Sequence, residues 1–256
     1  LLAKQIKRMW ALLDKATPFY IIEIGAGNGR LAIDIINHIF AIDQDLHISI
    51  QYFAIDRTQH PTLNHDKIQQ IVSNTLPFRD VVGCVLSNEL VDAFPVHLFK
   101  IGNKGIQEIY VSHENGDFRE ELDNPSNPQL LSKINILNLD PKNIHRGEIN
   151  LEIIPWIKEV STLIKTGFVL TIDYGYLENE LELDKRHNGT LQTYYKHSQG
   201  TNPYQQIGGQ DITSHVNFSS IIKEGSNFGI DTIGLLSQGE YLAHLGISRW
   251  IEYFRK

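Results

Sequence analysis

Tyr20-Ile-Ile-Glu-Ile-Gly-Ala-Gly-Asn-Gly-Arg-Leu31 is the stretch that decides the fold of this 256-residue chain. An apolar run, Tyr20 to Ile24, meets glycines at three alternate positions, Gly25, Gly27 and Gly29. Leu31, Ile35, Ile36 and Ile39 then follow at helical spacing. That order predicts a buried strand turning tightly into a helix whose free amides face a ligand. Glycine suits such a turn because the backbone visits positive φ and because a Cβ would hold a ligand away from it. Dinucleotide folds read GxGxxG and seat a pyrophosphate at the helix start. Here the pattern is ExGxGxG, with Glu23 two residues before the first glycine. An acid beside the loop repels a diphosphate and suits a cationic ligand, such as the amino-acid end of S-adenosylmethionine. The loop points to methyl transfer ahead of redox chemistry.

Working outward, residues 1–15 carry apolar residues at helical spacing and predict an amphipathic helix leading into the first strand. Ser49–Ile55 reads as a second strand with Asp56 at its carboxyl end. Val81–Leu86 is a continuous apolar run, suited to a central parallel strand buried on both faces. His97–Tyr110, with Gly102-Asn-Lys-Gly105 in its middle, reads as a hairpin, and 113–128 as an exposed loop. A helix over Ile153–Lys165 precedes the strand Gly167–Asp173. Residues 177–217 are polar, irregular and too long for an idle loop. A helix (Phe218–Lys223), a strand (Ile230–Leu236) and a helix (Glu240–Arg255) complete the pattern. Alternating strands and helices predict an α/β fold with a doubly wound, mostly parallel sheet. The length suits a single domain spanning 1–256, with insertions at about 97–150 and 177–217.

Ligands of such sheets bind at the carboxyl ends of the strands, near the switch point. Asp56 lies there, 27 residues past Gly29, where its two oxygens suit the ribose hydroxyls; the alternative is a turn former. Asn88, Glu89 and Asp92 directly follow the central strand. A carboxylate buried there needs a cationic or hydrogen-bonding partner. Glu89 stands where a substrate amine or guanidinium meets a methyl donor, while Asp92 has a second reading as a turn cap. Asp173 either lines the pocket or caps its strand. His197 and His215, in the polar insertion, are lone histidines of the kind that is more often structural.

Composition narrows the classes. A net charge of −7 disfavours a nucleic-acid partner. No apolar run approaches the ~20 residues of a membrane span. The single cysteine, Cys84, lies in an apolar run and reads as a buried small hydrophobe. The histidines show no zinc-ligand spacing, so no metal is expected, and neither a GxSxG elbow nor a GKS/T phosphate loop occurs.

Glu23–Arg30, Asn88–Val96 and Thr171–Gly175 together resemble the MidA-type methyltransferases. So do Gly189-Thr-Leu-Gln-Thr-Tyr-Tyr-Lys-His197, Gly209–Phe218 and Ser237-Gln-Gly-Glu240. These are S-adenosylmethionine-dependent enzymes of bacteria and mitochondria, and the mitochondrial member methylates an arginine of a respiratory complex I subunit. The resemblance implies a class I, Rossmann-like methyltransferase located in the bacterial cytoplasm, or in the mitochondrial matrix of a eukaryote. Its substrate would be a protein such as an NADH-quinone oxidoreductase subunit. Gly25, Gly27 and Gly29 would cradle the methionine part of S-adenosylmethionine beside Glu23, Asp56 would take the ribose, and Asn88 would close the pocket. Glu89, with Asp92, would hold the substrate guanidinium. That group stays protonated, so carboxylates must orient it before a nitrogen attacks the methyl. Family members begin before the first helix and end in a closing antiparallel strand, so this chain is expected to be a fragment without that strand. Two other readings stay open at this point: an assembly chaperone that keeps the fold but not the catalysis, and an NAD-dependent oxidoreductase, which would need a diphosphate beside Glu23.

Overall fold

The computed structural model describes residues 1–137, 145–178, 189–196 and 198–254. His197, residues 179–188 of the polar insertion and Arg255 lie outside them. The chain divides into two compact units, one of residues 1–90, 157–172 and 225–256, the other of residues 91–156 and 173–224. The insertions expected at 97–150 and 177–217 fall within the second unit.

The first unit is built on five parallel strands: β1 (Phe19–Ile24), β2 (Ile50–Asp56), β3 (Ile68–Val72), β4 (Val81–Asn88) and β9 (Ile164–Ile172), in the order β3-β2-β1-β4-β9. The strand order reverses between β1 and β4, which opens a crevice beyond their carboxyl ends. Helix α2 (Arg30–Ile42), followed by the short α3 (Gln44–Ser49), buries Ala32, Ile35, Ile36 and Ile39, one stripe at helical spacing, and α5 (Ile153–Leu163) leads into β9. That stripe joins Ala3, Ile6, Met9 and Trp10 of α1 (Leu2–Leu12) and Phe19, Ile21 and Tyr52 of the sheet in one core. Cys84 belongs to this core as well; it is buried, and burial pushes its thiol up to about 12.

Two glycines let β1, β4 and β9 approach. A Cβ on Gly83 would lie 1.9 Å from the Tyr20 carbonyl oxygen, and one on Gly167 would lie 2.0 Å from the Gly83 carbonyl oxygen. Backbone cannot move aside as a side-chain tip can. Gly83→Ala is therefore expected to destabilise the fold by about 3 kcal/mol, the upper range for overpacking, as measured by a lower urea midpoint.

The second unit carries an antiparallel sheet in the order β7-β6-β5-β8, made of β5 (His97–Gly102), β6 (Gly105–Glu114), β7 (Asp117–Asp123) and β8 (His145–Ile149). Helix α4 (Pro128–Ile136) packs Leu130 and Ile134 on Phe99 and Ile101, and Asn127 caps it by accepting from the Leu130 amide at 2.8 Å. Short strands follow: β10 (Gly175–Tyr176) pairs with β14 (Val216–Asn217), and β11 (Gln192–Tyr195) lies between β12 (Ser198–Gly200) and β13 (Asp211–Thr213). Glu148 ties this segment to the sheet by accepting from the Thr190 and Leu191 amides at 2.6 and 2.7 Å. Gly189 has φ +75°, and a Cβ there would lie 2.3 Å from the Glu148 carboxylate, so only glycine serves.

Four expectations change. Residues 113–128 are not a loop: Asn115 and Gly116, at φ +53° and +90°, form a tight two-residue turn joining β6 to β7. Residues 230–236 have strand-like alternation, yet no strand of the described residues pairs with them, and Ile233 is 85% exposed. The helix from Phe218 runs on to Asn227 as α6. The last helix is two, α7 (Gln238–His244) and α8 (Ile247–Phe254), broken at Gly246 with φ +85°.

Candidate functional site

In the first unit the turn after β1 is held by the end of β2. Gly25, Gly27 and Gly29 have φ of +73°, +52° and +71°. The Gly25 and Ala26 amides donate to the Ile55 carbonyl at 2.9 and 3.0 Å. The Gly27 amide donates to Asp56 Oδ2 at 2.9 Å. Asp56 Oδ1 accepts from the Thr58 amide and hydroxyl, each at 2.9 Å. Partial burial works to raise the Asp56 pKa, but these N–H and O–H donors outweigh it and hold the carboxyl below its usual range. Asp56 is thus the anchor of the glycine loop, with lone pairs left for a ligand.

The three glycines do different work. A Cβ on Gly29 would strike Leu63 at 2.3 Å and one on Gly25 would strike Leu90 at 2.8 Å, whereas one on Gly27 meets nothing within 4 Å. The space over Gly27 is open. Gly29 also starts α2 without any side-chain cap, so the helix presents its positive end there.

Glu23 is placed otherwise than its charge suggested. It is buried, and Tyr52 donates its hydroxyl to Glu23 Oε2 at 2.8 Å. Burial raises the Glu23 pKa to about 7, partly offset by that hydrogen bond. An electrostatic bias against a diphosphate therefore cannot rest on Glu23 as an exposed anion. Its effect on stability has a definite sign. The folded-state pKa lies above the ordinary glutamate value of 4.5, so the contribution is fully present below about pH 4.5 and is lost as pH rises through about 7. At about 1.4 kcal/mol for each pH unit, the loss is on the order of 3 kcal/mol. Glu23→Gln is expected to flatten that decline, seen as urea midpoints compared at pH 5 and pH 8.

The end of β4 presents three polar residues. Ser87 pairs in register with Ile24, next to the loop. Its hydroxyl is buried without a hydrogen-bond partner among the described residues. Asn88 and Glu89 are exposed, and neither side chain makes a hydrogen bond or ion pair among the described residues. Glu89 stands at φ +48°, a conformation uncommon outside glycine, and its amide donates to the Ile172 carbonyl at 2.9 Å. A strained residue with a free carboxylate at a strand end is a familiar mark of function.

Asp92, the second residue of the second unit, joins a network there. Tyr174 donates its hydroxyl to Asp92 Oδ2 at 2.5 Å, while Asp92 Oδ1 is buried with no partner among the described residues. Asp173 accepts from the Val91 and Asp92 amides at 2.9 and 3.3 Å, capping that turn. Burial, then the charge of Asp92, raises the Asp173 pKa to about 6. The His215 ring packs edge-on to Tyr174 at 5.4 Å, and the Ser214 amide donates to the Asp92 carbonyl at 2.9 Å. Pieces of three distant sequence blocks, at Asp92, at Asp173-Tyr174 and at Ser214-His215, thus converge. Sequence reasoning missed Ser87 and Tyr174. It also missed Thr58, although its place two residues after Asp56 is an Asx-turn signal.

Residues 1–236 match the family described as "Putative S-adenosyl-L-methionine-dependent methyltransferase". The chain belongs to that family. S-adenosylmethionine is the family's cofactor, and the site fits it: the space over Gly27 is open, Asp56 keeps acceptor capacity, and the Ser87 hydroxyl is buried with no partner among the described residues. The family's fold is shared by two crystal structures of one superfamily from Burkholderia thailandensis. One, bound to S-adenosyl-homocysteine, has 25% identity and a TM-score of 0.84 over 98% of this chain and 66% of its own. The other has 26% identity and the same TM-score over 98% and 68%. The protein arginine methyltransferase NDUFAF7 homolog, mitochondrial, of Drosophila melanogaster is 21% identical over 92% of this chain. The chain spans 59% of that relative's length. Among the described residues no three His, Cys, Asp or Glu side chains assemble for a metal, and no helix is long and apolar enough to cross a membrane.

Proposed function

We propose that this chain carries a protein arginine methyltransferase activity, with a respiratory complex I subunit as the class of substrate. The observation that carries the reading is Glu89: a free, exposed carboxylate on a left-handed residue at the end of β4. Leu90, which follows it, packs on Gly25 of the cofactor loop. The name of the Drosophila relative supports arginine and a protein substrate, and the S-adenosyl-homocysteine bound to one Burkholderia neighbour supports the donor.

In this reading Gly25, Gly27 and Gly29 hold the methionine part of the donor, Asp56 receives the ribose hydroxyls, and Asn88 closes the pocket. S-adenosylmethionine supplies a methyl group activated by its sulfonium. Glu89 binds the substrate guanidinium through two parallel charge-assisted hydrogen bonds and turns one nitrogen along the line of attack. Transfer of that methyl to the nitrogen would leave S-adenosylhomocysteine, and Glu89 would accept the proton the nitrogen sheds. Asp92, whose Oδ1 is buried without a partner among the described residues, is proposed as the second acid for a cationic group of the substrate; Tyr174 fixes its other oxygen. The test is mass spectrometry of a quinone-reductase subunit co-expressed with the full-length protein, seeking a methylated arginine that depends on it. An unmodified arginine, in a preparation that binds S-adenosylhomocysteine, would count against arginine as the target.

A further inference from the structure

The second unit contains an open cleft. Gly147, Glu148 and Ile149 of β8 line it, with Asn150 just past the strand's end. Successive side chains of a strand point to opposite faces. Residues of both faces can border one cleft where the cleft follows the strand's edge. β8 is such an edge: β5 pairs with one side of it, and no strand of the described residues pairs with the other. Unpaired strand edges are templates for an added strand.

The rest of the lining fits an extended peptide. Ile136 and Leu137 supply an apolar patch beside the buried Phe99, and Asn217, Ser219 and Ser220 supply polar groups from β14 and the first turn of α6. The Glu148 carboxylate is occupied by the Thr190 and Leu191 amides. Lys133 is occupied by Glu224 at 2.8 Å. Lys223 also lines the cleft, is exposed, and makes no hydrogen bond or ion pair among the described residues. Glu178 lines it too, so an acid is favoured near Lys223 and not along the whole peptide.

We propose that this cleft binds an extended segment of the protein substrate as a strand added to β8, with an apolar side chain against Ile136 and Leu137 and an acidic one beside Lys223. The proposal rests on the reading of the chain as a protein methyltransferase and adds where that protein docks. Main-chain hydrogen bonds provide the affinity in this mode, and the side-chain sites provide the choice of sequence.

The probe is a set of fluorescein-labelled peptides of alternating valine and threonine with a central leucine and one aspartate. Binding to the whole chain is followed by fluorescence anisotropy. The same peptides are made with backbone N-methyl groups on alternate residues, in both phases. An edge strand offers its free groups at every second residue, so one phase is expected to weaken binding about tenfold while the other leaves it unchanged. Lys223→Glu is expected to weaken the aspartate peptide about tenfold and an asparagine version hardly at all. Equal binding of both phases, indifference to Lys223→Glu, or no binding overturns the proposal. So does hydrogen-exchange protection of every amide from Arg146 to Ile149 in the free protein, because the chain then covers its own edge. S-adenosylhomocysteine binding is measured on the same preparation. If it persists while the peptides fail, the docking cleft falls and the methyltransferase reading stands.

Discussion

Asp56→Ala is expected to weaken S-adenosylhomocysteine binding at least about 100-fold. Two losses combine. The Gly27 amide loses the Oδ2 acceptor that fixes the middle of the glycine loop, and Thr58 loses its partner at Oδ1. The ribose acceptor proposed for this residue goes as well. Hydrogen bonds to a charged group contribute roughly 1.5–3 kcal/mol each, and about 2.7 kcal/mol is 100-fold in affinity. Asp56→Asn keeps one acceptor oxygen and should fall between. Titration calorimetry measures both. Unchanged affinity in the alanine variant would remove Asp56 from the cofactor site.

Glu89→Gln is expected to lower kcat on an arginine substrate by about 10² to 10³, the usual cost of one electrostatic group aimed at the reacting centre. S-adenosylhomocysteine affinity should change by less than about twofold, because the carboxylate binds substrate and not donor in this reading. The side chain is exposed and makes no hydrogen bond or ion pair among the described residues, so the fold should tolerate the change. Thermal unfolding of the variant checks that point. Equal loss of cofactor affinity and turnover would move Glu89 into the donor site. Full turnover would remove it from the chemistry.

The parallel sheet and its glycine turn were legible because local pattern and global fold agree there. Strand β1 is an apolar run, Gly25, Gly27 and Gly29 do adopt positive φ, and the apolar stripe of α2 faces the core. The misreadings lie where a segment's state depends on a neighbour. Residues 230–236 alternate like a strand, but a strand needs a partner and the described residues supply none. β7 is exposed along its length, so composition alone suggested a loop, although Asn115-Gly116 carried the hairpin signal.

The candidate site was legible as a set of residue types, not as environments. Glu23 and Glu89 are both glutamates beside strand ends, yet one is buried against a tyrosine and the other is free in solvent. Asn88, Glu89 and Asp92 read as one polar cluster, while the chain passes from the first compact unit to the second between Leu90 and Val91. Nothing in a linear pattern announces that Tyr174 donates to Asp92, since 82 residues separate them. Burial and long-range pairing decide these roles.

The single thiol has a practical corollary. Cys84 lies inside the core with its ionisation held far from neutral pH, and only a thiolate reacts readily with alkylating reagents. The native chain should therefore give almost no maleimide background while folded. A cysteine placed at Ser220 or Lys223 would then carry a dye or spin label at one known address. Unfolding could be timed independently by the moment Cys84 begins to react.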